Sequence, residues 1–237
     1  MNERKADLKP GPPCVGCHTP LLKPLGAVIF DMDGVIVDSE PLHERAFCEV
    51  MDELGYGRNH GVHFADYVGR SDFELWEDFV ARHKPSQPLA ELLAMKRQRV
   101  IDVVRQAQPI FDGLPELVEK LAARCRLALA SGSEHPVIEA VLSLKGLRPF
   151  FSVVVSSSEV EHGKPAPDIF LRTAQLLGVV PQDCWVIEDS KPGVAAGLAA
   201  GMRVIAITNT HSAQELGQAT HVVKTYEEIG GLLLGAR

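Results

Sequence analysis

The sequence predicts an α/β protein: a doubly wound parallel sheet with a helical domain inserted after its first strand. Three observations carry this expectation. Short apolar, β-branched runs recur along the chain and each stops at polar residues. Helical patterns fill the intervals between them, the order expected of strand–helix–strand units. One long stretch, from about residue 41 to 109, instead has several amphipathic segments and no strong strand run.

The elements follow in order. Residues 1–24, MNERKADLKPGPPCVGCHTPLLKP, are charged and proline-rich and contain no apolar segment resembling a secretion signal, so they read as a flexible leader. Within them Cys14, Cys17 and His18 spell C-x-x-C-H, the spacing of c-type haem attachment. Haem attachment needs export and a buried ligand pocket, and a zinc site needs a second C-x-x-C pair; with none of these visible, the match reads as incidental. Leu25–Val37, LGAVIFDMDGVIV, holds the run Val28-Ile29-Phe30, a buried strand with Asp31 at its carboxyl end. Similar runs follow at Arg126–Ala130, Phe151–Val155, Cys184–Ile187, Arg203–Ile207 and His221–Val223. Helical patterns alternate with them at Pro115–Ala123, His135–Leu144, Pro167–Leu177 and Pro192–Ala200. In the insert, helical spacing marks Leu42–Leu54, Asp72–Arg82 and Leu89–Gln106, the last with Lys96 among its apolar positions. The chain returns through Pro109–Pro115, a proline- and glycine-marked hinge. The predicted organisation is a leader (1–24), a Rossmann-like α/β core (25–40 and 110–237) and a helical cap (41–109).

Composition bounds the function. At 237 residues, with 46% hydrophobic and 23% charged, the chain can bury a sizeable core and is ordinary for a soluble globular protein. A net charge of -7 argues against non-specific nucleic-acid binding, which needs a basic surface. No apolar run reaches the roughly 20 residues that span a bilayer, so no membrane partner is expected. Five scattered cysteines, an odd number, favour a reducing cytoplasm over a disulfide framework.

In an open parallel sheet, ligands bind beyond the carboxyl ends of the strands near a topological switch point. The polar residues that end the apolar runs therefore converge: Asp31 and Asp33, Ser131, and Glu188 with Asp189. Like charges packed this closely are expensive without a counter-ion, and a divalent cation is the simplest compensation. Oxygen ligands without Cys or His favour Mg²⁺. Ser131-Gly132-Ser133 precedes a helix, and hydroxyl, amides and helix N-terminus together suit a phosphate. Lys164, in Gly163-Lys164-Pro165-Ala166-Pro167, is a cation on a proline-stiffened loop.

Together these segments resemble the haloacid dehalogenase superfamily. FDMDGVIVDSE is similar to its first motif, ASGS to its second, GKPAPDIF to its third and IEDSKPGVAAGLAAGM to its fourth. The insert is similar to the caps of the subgroup containing β-phosphoglucomutase and phosphoglycolate phosphatase. The resemblance implies Asp31 as the nucleophile that forms an aspartyl-phosphate, and Asp33 as general acid and then base. It implies Mg²⁺ on Asp31, the Asp33 carbonyl, Glu188 and Asp189, with Ser131 and Lys164 holding the transferring oxygens. Dehalogenation needs neither a second aspartate nor a metal, which disfavours that branch.

The cap would read the organic part of the substrate, with His43, Arg70 and Lys96 as candidates beside Gly132 and Ser133 at the phosphate. Where β-phosphoglucomutases usually have Ser-Arg in the cap loop, this chain has Ser71-Asp72, with arginine at position 70 instead. That moves the expectation toward hydrolysis of a small phosphorylated metabolite, a sugar phosphate or phosphoglycolate. A hexose-phosphate mutase and a non-catalytic regulatory protein on the same fold are the alternatives. A capped enzyme of this size works well as a monomer.

Overall fold

A computed structural model describes residues 25–63, 66 and 72–235. The expected leader, with Cys14, Cys17 and His18, lies outside them, as does Arg70. The centre of the molecule is a six-stranded parallel sheet in the order β3-β2-β1-β4-β5-β6. The strands are β1 (Ala27–Phe30), β2 (Arg126–Ser131), β3 (Phe151–Ser156), β4 (Cys184–Glu188), β5 (Arg203–Ile207) and β6 (His221–Val223). They are the six runs read from the sequence, with β2, β3 and β4 each reaching one residue further, into Ser131, Ser156 and Glu188.

Successive side chains of a strand point to opposite faces, and both faces here are covered. On one, Val28, Phe30, Leu127, Leu129, Trp185, Ile187, Ile205 and Ile207 pack against α4 (Leu114–Ala122), α5 (His135–Ser143) and α8 (Tyr226–Leu234). On the other, Ala27, Ile29, Ala128, Ala130, Val186, Val204 and Ala206 pack against α6 (Asp168–Leu177) and α7 (Lys191–Ala199). The second face is rich in alanine, which lets its helices sit close: a Cβ on Gly197 of α7 would stand 2.7 Å from Val204. Helix α8 has no counterpart in the sequence reading. Gly230 and Gly231 interrupt its pattern, and glycine is a poor helix former. The Thr225 hydroxyl, which accepts from the Glu228 N–H at 3.2 Å, was the available sign of its start.

Between β1 and α4 lie α1 (Glu40–Glu53), α2 (Asp72–His83) and α3 (Leu89–Ala107). They share an apolar cluster of their own, built on Phe47, Met51, Trp76, Phe79 and Leu92. Leu42, Ala46, Val100, Ile101, Val103 and Val104 instead join the cluster on the sheet. The two passes that link these helices to the sheet pair with each other. Val37 bridges Ile110, Asp38 N–H donates to Pro109 O at 3.0 Å, and Phe111 N–H donates to Ile36 O at 3.3 Å. Among the described residues no helix is long and apolar enough to cross a membrane.

Candidate active site

After β3 the chain crosses to the far side of β1, so β1 has β2 on one flank and β4 on the other. Phe30 is level with Leu129 and with Ile187. This register sets the next residue, Asp31, beside Glu188, and its N–H donates to Ile187 O at 2.9 Å. The sequence rule for strand ends thus gathers its residues at a switch point, as such sheets do.

Lys164 stands between two of the acids. Its ammonium donates to Asp31 Oδ1 and, at 2.7 Å, to Glu188 Oε1, and it lies 5.2 Å from the centre of the Phe170 ring. Glu188 Oε2 accepts from the Asp189 and Ser190 amides, both at 2.9 Å, and from the Ser190 hydroxyl at 2.8 Å. The N-terminal turn of α7 comes so close that a Cβ on Gly193 would overlap the Glu188 carboxylate. Asp189 Oδ2 accepts from the Thr210 hydroxyl.

Asp31, Glu188 and Asp189 are all buried, and one carboxylate oxygen from each lies within 4.8 Å of the others. Burial pushes the Asp31 carboxyl well above its ordinary value; Lys164 opposes this, while Glu188, Asp189 and Asp33 add to it. Burial and then Glu188 push Asp189 up to about 7. For Lys164 burial works against the charge, but Asp31 and Glu188 outweigh it and hold the ammonium above its usual range. One lysine is therefore too little positive charge for this group of acids. An all-oxygen donor set with a deficit of positive charge fits a hard divalent cation.

Asp33, two residues on, faces the helices. Its Oδ2 accepts from the Ser133 hydroxyl at 3.1 Å, and its Oδ1 is 3.8 Å from His43 Nε2. His43, on α1, has its Nδ1 2.8 Å from Lys96 Nζ on α3. Lys96 is 1% exposed, on the apolar face where its spacing placed it. Burial opposes ionisation of Asp33, but His43, Ser39 and Ser133 more than offset it and hold the carboxyl below its ordinary value.

Ser131 is fully buried, and its Oγ accepts from the Ser133 N–H at 3.0 Å. Gly132 has open space where a Cβ would be. Its carbonyl accepts from the Ser157 hydroxyl at 2.7 Å, and the Ser133 carbonyl from the Ser156 hydroxyl at 2.8 Å, so the end of β3 and the residue after it brace the turn. The site also contains residues that the sequence reading passed over: Ser39, Ser190, Asn209 and Thr210. Asn209 and Thr210 lie two and three residues beyond the apolar run of β5, as Asp33 lies three beyond β1, so they stand at the same end of the sheet as the residues the strand-end rule picked out.

Comparison with known proteins agrees with this geometry. The family described as haloacid dehalogenase-like hydrolase matches residues 25–201. Fructose-1-phosphate phosphatase YqaB of Escherichia coli is 35% identical over 180 residues, which is 75% of this chain and 94% of that protein. Hexitol phosphatase B of the same organism is 35% identical over 189 residues, 76% of this chain and 82% of that protein. Among solved structures, a putative beta-phosphoglucomutase from Thermotoga maritima superposes with a TM-score of 0.72 at 29% identity, covering 90% of this chain and 100% of that one. CbbY from Rhodobacter sphaeroides, in complex with xylulose-(1,5)bisphosphate, gives 0.75 at 26% identity, covering 87% and 96%.

Proposed function

The chain belongs to the haloacid dehalogenase-like hydrolases, and we propose that within this family it is a Mg²⁺-dependent phosphatase of a small sugar phosphate. The observation that carries this reading is the pairing of two unlike aspartates. Asp31 is a buried carboxylate anchored by Lys164 among the acids, and Asp33 faces His43 and Ser133. Their partners differ, a lysine and two further acids for Asp31 and an imidazole and a hydroxyl for Asp33, which suits the first to nucleophilic attack beside a cation and the second to moving protons.

Asp31 attacks the phosphorus in line, and the bond to the sugar oxygen breaks as the new P–O bond forms. Asp33 gives that oxygen its proton, then takes one from the water that hydrolyses the aspartyl-phosphate. In the free site Asp33 is held in its ionised form, the form that serves as base. An arriving phosphate dianion opposes that charge and draws a proton onto Asp33, supplying the acid form for the first step. Ser131 donates to a non-bridging oxygen, and Lys164 offsets the negative charge around it. Mg²⁺ bound by Asp31, Glu188, Asp189 and the Asp33 carbonyl would neutralise charge on the transferring group. The helices of residues 41–109 act as the cap, with His43 and Lys96 carried on it to Asp33.

The names of the two phosphatase relatives support a sugar or polyol phosphate as substrate. The His43–Lys96 pair at Asp33 also suits a mutase, which must return the phosphoryl group to a second hydroxyl. A panel of hexose and hexitol phosphates, phosphoglycolate and nucleotides, incubated with Mg²⁺, separates these readings. Stoichiometric release of inorganic phosphate from sugar phosphates is the expected result. Transfer to another hydroxyl without release would establish the mutase instead, and no turnover of any phosphoester would end the enzymatic reading.

A further inference from the structure

We propose that Thr210 is a positioning residue for the metal centre: by holding Oδ2 of Asp189, its hydroxyl turns Oδ1 toward the ion. The inference rests on the reading of Asp31, Glu188 and Asp189 as the Mg²⁺ ligands.

The two neighbouring acids are held in different ways. Glu188 is fixed by its own loop, through the Asp189 and Ser190 amides and the Ser190 hydroxyl, and by Lys164. The Asp189 carboxylate receives its hydrogen bond from outside that loop, from Thr210 beyond β5. A carboxylate with one oxygen tied to a hydroxyl presents the other, and its rotation about χ2 is no longer free.

Thr210 is itself held in place by its neighbours. Asn209 Nδ2 donates to Gly34 O at 2.8 Å and to Tyr226 Oη at 3.0 Å. Tyr226 Oη donates to Val35 O at 2.7 Å, and His211 Nδ1 lies 3.1 Å from the Asp189 carbonyl. On either side of Thr210, Asn209 thus holds the turn after Asp33 and His211 lies against the backbone of Asp189. Gly34 makes room for this contact. Its φ is +74°, and a Cβ there would fall on Asp189 Oδ2 beside the Thr210 oxygen. Asp189 Oδ2 is thus held between the Gly34 backbone and the Thr210 hydroxyl, its hydrogen-bond donor. Outer partners of this kind are worth 10–100-fold in metal affinity in characterised sites.

The test is calorimetric titration of Mg²⁺ into the metal-free full-length protein, beside turnover at varied Mg²⁺. Thr210→Val, which keeps shape and loses the donor, is expected to weaken Mg²⁺ binding by about tenfold or more. Its half-saturating Mg²⁺ in turnover should rise by the same factor. Thr210→Ser, which keeps the donor, should bind within about threefold of the parent, a rescue that a purely packing role would not produce. Thermal midpoints in EDTA check that each variant is folded, and Thr210→Ala replaces the valine variant should the latter crowd Gly34. An unchanged Mg²⁺ affinity in the folded valine or alanine variant overturns the role of Thr210. Failure of the parent protein to bind Mg²⁺ at millimolar concentration overturns the metal centre itself, a result that is distinct from the first.

Discussion

Lys164 and Asp31 touch each other, yet their removal should have opposite consequences. Asp31→Asn is nearly isosteric and takes one carboxylate away from a buried group whose members repel one another. Turnover should become undetectable, while the thermal midpoint in metal-free buffer stays at or above that of the parent. A folded Asp31→Asn protein with ordinary activity would refute the nucleophile. Lys164→Ala removes the cation from between Asp31 and Glu188 and leaves both acids uncompensated. Breaking a buried pair by deleting one partner costs about 3–5 kcal/mol, so urea denaturation without metal should show a loss of that order. Millimolar Mg²⁺ should restore part of it, since an ion among the acids takes over some of the work of the ammonium. Equal stability of parent and Lys164→Ala in metal-free urea titrations would mean that the acids simply take up protons.

At the scale of elements, α3 carries a lysine on its buried face. Lys96 occupies a position where helical spacing calls for an apolar residue, and its stem packs there while its ammonium reaches His43. Lys96→Met keeps the stem and loses the charge. The fold should survive, with kcat falling on the order of a hundredfold, the scale of a general acid–base contribution; an unchanged kcat would separate α3 from the chemistry at Asp33. The position of Lys96 was legible because an amphipathic helix repeats over many residues. The six strands were legible for a similar reason, each being a short and mostly apolar run, and the acids that end β1 and β4 came with that reading. The contact of Ser133 with Asp33 was not, since it joins the turns after two different strands that only the sheet order brings together. Nor was the pairing of Val37 with Ile110, a single bridge between segments far apart in sequence. Thr210 was missed although β5 was found, because a hydroxyl after a strand is commonplace until the carboxylate opposite it is known.

The whole molecule keeps its acids together at a cost that depends on pH. In the metal-free protein the folded-state pKa of Asp31 is raised, and that of Asp189 is raised from 3.8 to about 7. The folded state then binds more protons than the unfolded state between roughly pH 4 and pH 7, so ν_U − ν_N is negative and stability falls as pH rises through that window. Each fully linked group contributes a slope of up to about 1.4 kcal/mol per pH unit. This is opposite in sign to the usual paired carboxylate, whose lowered pKa makes stability rise with pH. Mg²⁺ should reverse the trend. On the proposed reading the ion would bind the folded protein with its ligands deprotonated, so its binding would release protons and strengthen with pH. It stabilises by mass action, by about 2.7 kcal/mol at a hundred times its Kd. Thermal midpoints measured from pH 5 to 8 in EDTA should therefore decline, while those in excess Mg²⁺ should stay level or rise, so that the two curves diverge with pH. NaCl at matched ionic strength should not reproduce the divergence, because screening acts weakly on buried charges. Parallel curves with and without Mg²⁺ would show that the ion does not replace protons at this cluster, and Asp31, Glu188 and Asp189 would then need another partner for their charge.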